Sequence, residues 1–215
     1  MIFDENIRAV IFDMDGVLLD TESVCKVCWR RAAGEYGVER IDEAFMRCVG
    51  QNTSDSLILL KDYCGGKVSP EDFYARTSEL FYVVEREEGL KKMPFVSECL
   101  ESLKERGFRL AVASSTRWVN VERQLKAAGI FDFFETITTG DKVIHSKPSP
   151  DIYLKSLDSL KLKAVQCIAV EDSPNGVRAA SRAGIKCVMV PDQIQPDSEM
   201  KNLAFKILPS LKELR

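Results

Sequence analysis

The run Ala9-Val10-Ile11-Phe12 ends abruptly in Asp13-Met14-Asp15-Gly16, and this junction constrains the fold more than any other stretch. Consecutive apolar residues without polar alternation read as a strand covered on both faces, the pattern of a parallel sheet. Strand residues i and i+2 point to the same side, so Asp13 and Asp15 can face one pocket at the strand's carboxyl end. That edge is where open α/β sheets bind ligands. The same letters also occur in turns and calcium loops, so the motif alone leaves catalysis and a surface loop both open.

The rest of the chain favours the sheet. From residue 20 to about 90 the periodicity is helical, with helices expected over 22–36, 42–49, 54–63 and 70–88, broken by Gly37, Gly50, Gly65-Gly66 and Ser69-Pro70. Asp20 or Thr21 is the expected cap of the first of these. Beyond about residue 94 helices at 95–106, 117–128, 150–160 and 174–183 alternate with strands at 109–115, 134–139, 167–170 and 186–190, with a short strand near 205–208. Strands alternating with helices of this length make βαβ units and a parallel sheet. The expected architecture is a doubly wound, Rossmann-like α/β core formed by 1–19 and 91–215, with an all-helical cap inserted over 20–90.

Composition excludes several classes. A net charge of −3 and a single histidine, His145, provide no basic field for nucleic acid. No apolar run approaches a membrane span of ~20 residues, and the N-terminus lacks the basic and apolar regions of an export signal. Seven scattered cysteines fit reduced thiols in a cytoplasmic protein. Cys25 and Cys28 form a C-x-x-C within a helical pattern without a second pair, so packing explains them better than zinc or redox chemistry. No pattern speaks to oligomeric state, and a monomer suffices.

Polar residues gather at the strand ends. Ser114-Ser115-Thr116 precede a helix, and hydroxyls and free amides there suit an anion, although N-capping alone explains them equally well. His145-Ser146-Lys147-Pro148-Ser149-Pro150-Asp151 holds a lysine in a proline-stiffened loop, with Ser149 as expected cap and Pro150 at the first helical position. An isolated loop lysine is ordinarily solvated. Ser173 and Pro174 are explained by capping; Glu171 and Asp172, at the carboxyl edge of an apolar strand, are not.

Each piece is weak, but their order is specific. Asp-x-Asp-Gly-Val, then Ser-Ser, then Lys-Pro, then Glu-Asp-Ser resembles the haloacid dehalogenase superfamily, in its phosphatase and β-phosphoglucomutase-like branch with a helical cap. The resemblance covers nearly the whole chain. It implies that Asp13 attacks phosphorus and becomes an aspartyl phosphate, and that Asp15 protonates the leaving oxygen and later takes a proton from water. It further implies Mg2+ held by the Asp13 carboxylate, the Asp15 backbone carbonyl and the Asp172 carboxylate, with Glu171 nearby or indirect. Ser114 and the Ser115 amide would hold phosphoryl oxygens, and Lys147 would pair with nucleophile and phosphate. Magnesium and Lys147 then offset most of the negative charge of Asp13, Asp172 and the phosphate, which a closed site requires.

The cap is expected to select the substrate by closing over the core edge. Its candidates are Cys25, Gly50, Gln51, Asn52 and Thr53, joined by Thr116, Arg117 and Trp118 at the core rim; Trp29 is better explained as core. In the mutase branch a histidine is expected at Cys25 and an arginine near Thr53. Without them the grip on a second phosphate is missing, which favours hydrolysis. Phe95 stands where the branch has a hinge glycine and takes positive φ less easily than glycine, so a stiffer hinge is expected. The resulting expectation is a Mg2+-dependent phosphatase acting on a small phosphorylated metabolite, a sugar or polyol phosphate. The alternatives are a sugar-phosphate mutase and a non-catalytic module that binds a phosphometabolite.

Overall fold

The structure is a computed structural model that describes residues 2–49 and 53–214. Six strands, β1 (Ala9–Phe12), β2 (Arg109–Ser114), β3 (Thr136–Thr139), β4 (Cys167–Glu171), β5 (Lys186–Met189) and β6 (Lys206–Ile207), form one sheet in the order β3-β2-β1-β4-β5-β6. Every pairing is parallel, with Phe12 opposite Val112 on one side and Val170 on the other. β1 is completely buried, as its unbroken apolar run requires.

The two-residue strand period divides the core. Val10 and Phe12 face a cluster containing Leu100, Leu103, Val121 and Leu125, from helices α5 (Val96–Glu105) and α6 (Trp118–Ala127). Ala9 and Ile11 face the opposite cluster, which holds Tyr153 and Leu157 from α7 (Asp151–Leu160) and Val177 from α8 (Pro174–Arg182). Both faces are therefore dry.

Between β1 and β2 lie α1 (Thr21–Tyr36), α2 (Ile41–Cys48), α3 (Thr53–Cys64) and α4 (Pro70–Glu88). They bury a separate apolar cluster in which Trp29 sits edge-on to Phe45 and Phe73, with ring centroids 5.5 and 5.7 Å apart. Trp29 is thus core, as expected. The chain enters and leaves this helical layer side by side: Asp20 N–H donates to the Lys91 carbonyl and Met93 N–H to the Leu18 carbonyl.

Local expectations needed four corrections. Asp20 precedes α1 but its side chain caps nothing, and the Thr21 hydroxyl donates to Asp15. Ser149 does not cap α7; its hydroxyl donates to the Asp151 carboxylate at 2.6 Å, and the helix starts at Asp151 behind Pro150. Phe95 takes the left-handed conformation at φ 67°, a geometry that costs a bulky residue roughly 1–2 kcal/mol. The six-residue α9 (Ser198–Leu203), capped by Asp197, is too short to announce itself by periodicity. By contrast, Ser69 and Ser173 cap α4 and α8 as their Ser-Pro sequences specify.

Candidate active site

The carboxyl edge of the sheet gathers residues that are far apart in sequence. Asp13 leaves β1, its N–H donating to the Val170 carbonyl at 2.9 Å, and its Oδ1 accepts from Lys147 Nζ at 2.6 Å. Lys147 also reaches Glu171 at 2.7 Å and donates to the Ala113 carbonyl at 3.0 Å. Far from being solvated, it is buried together with Asp13, Glu171 and Asp172. Burial alone would lower its pKa, but Asp13 and Glu171 outweigh that and raise it, so the ammonium stays charged.

Asp15 sits one turn beyond, held by three hydroxyls. Its Oδ1 accepts from Thr21 Oγ1 at 2.8 Å, and its Oδ2 accepts from Ser114 Oγ at 3.1 Å and Thr116 Oγ1 at 2.9 Å. Ser114, fully buried at the end of β2, therefore serves Asp15 here, where the sequence suggested a phosphoryl oxygen. Ser115 is exposed on the turn. Gly140 braces that turn: its N–H donates to the Thr116 carbonyl, and a side chain on it would run into the Ser115 carbonyl.

Asp13, Glu171 and Asp172 each offer a carboxylate oxygen, all within 4.8 Å of one another. Burial first, then mutual repulsion, pushes the Asp172 carboxyl well above its ordinary range. Asp13 is pushed up to about 8 by burial, against the pull of Lys147 and with the push of Glu171 and Asp15. One lysine facing three buried carboxylates leaves two negative charges uncompensated. A hard, oxygen-seeking divalent cation fits that donor set. Gly16, at φ +75°, permits the approach, since a Cβ there would lie 2.5 Å from Asp172 Oδ2.

Among the specificity candidates, Cys25 lies half-buried on α1 near Glu22 and Asp15, and its thiol is pushed up chiefly by burial. Thr53 is exposed and shares a hydrogen bond with the Tyr74 hydroxyl at 3.3 Å. Arg117 is exposed, and Trp118 carries Lys142 over its ring at 4.1 Å. Gly50, Gln51 and Asn52 lie outside the described residues. Sequence reasoning missed Thr21, Glu22, Tyr153 and Asp192. Glu22 is pushed up to about 8 by burial and then by Asp15, Asp192, Asp13 and Asp20, so α1 sets a further acid beside the acids of the core. Thr21 and Glu22 could have been found from their place in the first turn of a helix that starts six residues after Asp15; Tyr153 and Asp192 carry no such signal.

This arrangement defines a class: an open, parallel α/β fold that brings carboxylates from separate strand ends together with one loop lysine. The chain belongs to the haloacid dehalogenase-like hydrolase family, whose model matches residues 10–190. It is 37% identical over 179 residues to the phosphorylated carbohydrates phosphatase of Thermotoga maritima, covering 83% of this chain and 82% of that one. It is also similar to CbbY from Rhodobacter sphaeroides in two crystal structures. The complex with phosphate has 29% identity and a TM-score of 0.77, and the complex with xylulose-(1,5)bisphosphate has 28% and 0.80; each match covers 97% of this chain and 96% of that one. Among the described residues, no helix is long and apolar enough to cross a membrane.

Proposed function

We propose that the protein is a Mg2+-dependent phosphatase that hydrolyses a small phosphorylated metabolite, a sugar or polyol monophosphate, through an aspartyl-phosphate intermediate. The carrying observation is the buried cluster in which one lysine, Lys147, pairs with both Asp13 and Glu171 while Asp172 lies beside them. Asp13 Oδ attacks phosphorus, and the bond to the alcohol oxygen breaks as Asp15 gives that oxygen a proton. Water then attacks the acyl phosphate, Asp15 takes its proton, and Asp13 is released with inorganic phosphate. Hydroxyls both donate and accept, so Thr21, Ser114 and Thr116 can hold Asp15 in either protonation state. Lys147 holds Asp13 in place, and the Ser115 amide would meet phosphoryl oxygens. Mg2+, held by Asp13, Asp172 and the Asp15 carbonyl with Glu171 beside them, would supply the remaining positive charge that lets an anion approach a phosphate dianion.

The helical layer over residues 20–90 acts as the cap that shapes the leaving-group side. Its Cys25 and Thr53 supply no cation for a second phosphate, which favours hydrolysis over phosphate exchange between sugars. The Thermotoga phosphatase and sugar-bisphosphate-binding CbbY support a phosphorylated carbohydrate as substrate. Seven cysteines scattered along the chain suit the reducing cytoplasm. The test is phosphate release from 4-nitrophenyl phosphate and a panel of sugar and polyol monophosphates. Turnover should vanish on chelation and fall at least about 1,000-fold in Asp13→Asn, as loss of a nucleophile does. Release that survives both treatments sinks the proposal.

A further inference from the structure

Glu171 closes β4 without any exposure, so its charge must be balanced by protein groups. Its Oε1 accepts from Lys147 Nζ at 2.7 Å and from the Tyr153 hydroxyl at 2.5 Å. Its Oε2 has no partner and rests against the bare Cα of Gly176, where a side chain would collide with the carboxylate. Tyr153 is itself fully buried on α7, with Lys147 Nζ 5.5 Å from its ring centroid. Packing alone would accept phenylalanine here. The hydroxyl adds nothing to the apolar cluster, yet it is spent on a carboxylate that already has a cation.

The protons of Lys147 explain the extra donor. An ammonium has three, and all three are committed, to Asp13, Glu171 and the Ala113 carbonyl. To meet an arriving phosphoryl oxygen the ammonium must release one acceptor. Asp13 is needed as nucleophile, and among the described residues no second side chain donates to the Ala113 carbonyl. Glu171 alone keeps a second side-chain donor when the lysine turns away.

We propose that Tyr153 is a positioning residue: its hydroxyl shares the Glu171 oxygen with Lys147, so that Lys147 can turn to the phosphoryl group without stranding a buried carboxylate. This rests on the phosphatase proposal and extends it to a residue that touches neither substrate nor Asp13. In Tyr153→Phe the ring stays, and Glu171 is left with Lys147 as its only side-chain donor among the described residues, so the lysine is held back.

The experiment compares wild type, Asp13→Asn, Tyr153→Phe, Glu171→Gln and the Tyr153→Phe/Glu171→Gln double variant on 4-nitrophenyl phosphate with Mg2+. Mg2+ binding to each is measured separately by calorimetry. Tyr153→Phe is expected to lower kcat by about tenfold or more, the usual scale for a group behind a catalytic one, with KM and Mg2+ affinity within about twofold of wild type. In the Glu171→Gln background the same substitution should change kcat by less than about twofold, since an uncharged amide has no hold on the lysine to relieve. An unchanged kcat in Tyr153→Phe, a loss of Mg2+ binding alongside kcat, or an undiminished effect in the Glu171→Gln background each overturns the assignment. Absence of any turnover that Asp13→Asn removes overturns the phosphatase proposal, and this inference with it.

Discussion

At the scale of single residues, the site is a problem of uncompensated charge. Glu22 and Asp13 are pushed up to about 8, first by burial in each case, from ordinary values of 4.5 and 3.8. Each carboxyl binds its proton more tightly folded than unfolded. The folded state therefore holds the extra protons between about pH 4 and pH 8, and stability falls as pH climbs through that window. A divalent cation competes with those protons and compensates the same charge, so its stabilisation grows with pH. The metal-free melting temperature should drop from about pH 5 to pH 8, and added Mg2+ should recover more of it at the upper end. A metal-free melting temperature that rises across that range contradicts the charge assignment. Asp13, Asp15, Glu171 and Asp172 were legible in the sequence because they stand at strand ends, and Lys147 only through the order of the motifs around it. Their burial and their partners were not: Thr21, Ser114 and Thr116 meet on Asp15 through contacts spanning up to 101 positions, and a hydroxyl near a helix start looks like a cap wherever it finally points.

At the scale of elements, the continuous apolar runs made the strands readable, and their short spacing from capped helices made the sheet parallel. What the pattern left out is how the helical layer meets the sheet. Ties that do this include Thr21 to Asp15, Ile194 packed against the cluster around Trp29, and Glu85 of α4 bound through two nitrogens by Arg123 of α6 at 2.8 and 2.7 Å. The Glu85 side chain is 9% exposed and Arg123 38%, so the two halves of that pair are unequal. Arg123→Ala strands a nearly buried carboxylate and should cost about 1–3 kcal/mol, whereas Glu85→Gln, leaving a guanidinium that reaches water, should cost less than about 1 kcal/mol. Denaturant unfolding of the two variants measures the difference, and equal losses would remove the asymmetry. Such a pair is invisible in sequence, where either residue is an ordinary helix-surface charge.

At the scale of the whole molecule, a four-helix layer with its own apolar centre stands over a sheet that has two centres of its own. The two strands of chain joining them lie hydrogen-bonded side by side, Asp20 to Lys91 and Met93 to Leu18. Domains whose chain ends sit close together tolerate insertion and removal. Replacing 21–90 by a short glycine-serine turn should therefore leave a sheet that unfolds cooperatively and binds Mg2+, with lost discrimination among phosphate esters; an aggregated or unfolded product would show that the layers depend on each other. Those paired linkers also speak to descent. A lineage could trade the helical layer for another, or reshape it residue by residue, while the buried cluster of Asp13, Lys147, Glu171 and Asp172 beneath keeps its place, so new substrates can be acquired without reinventing the chemistry.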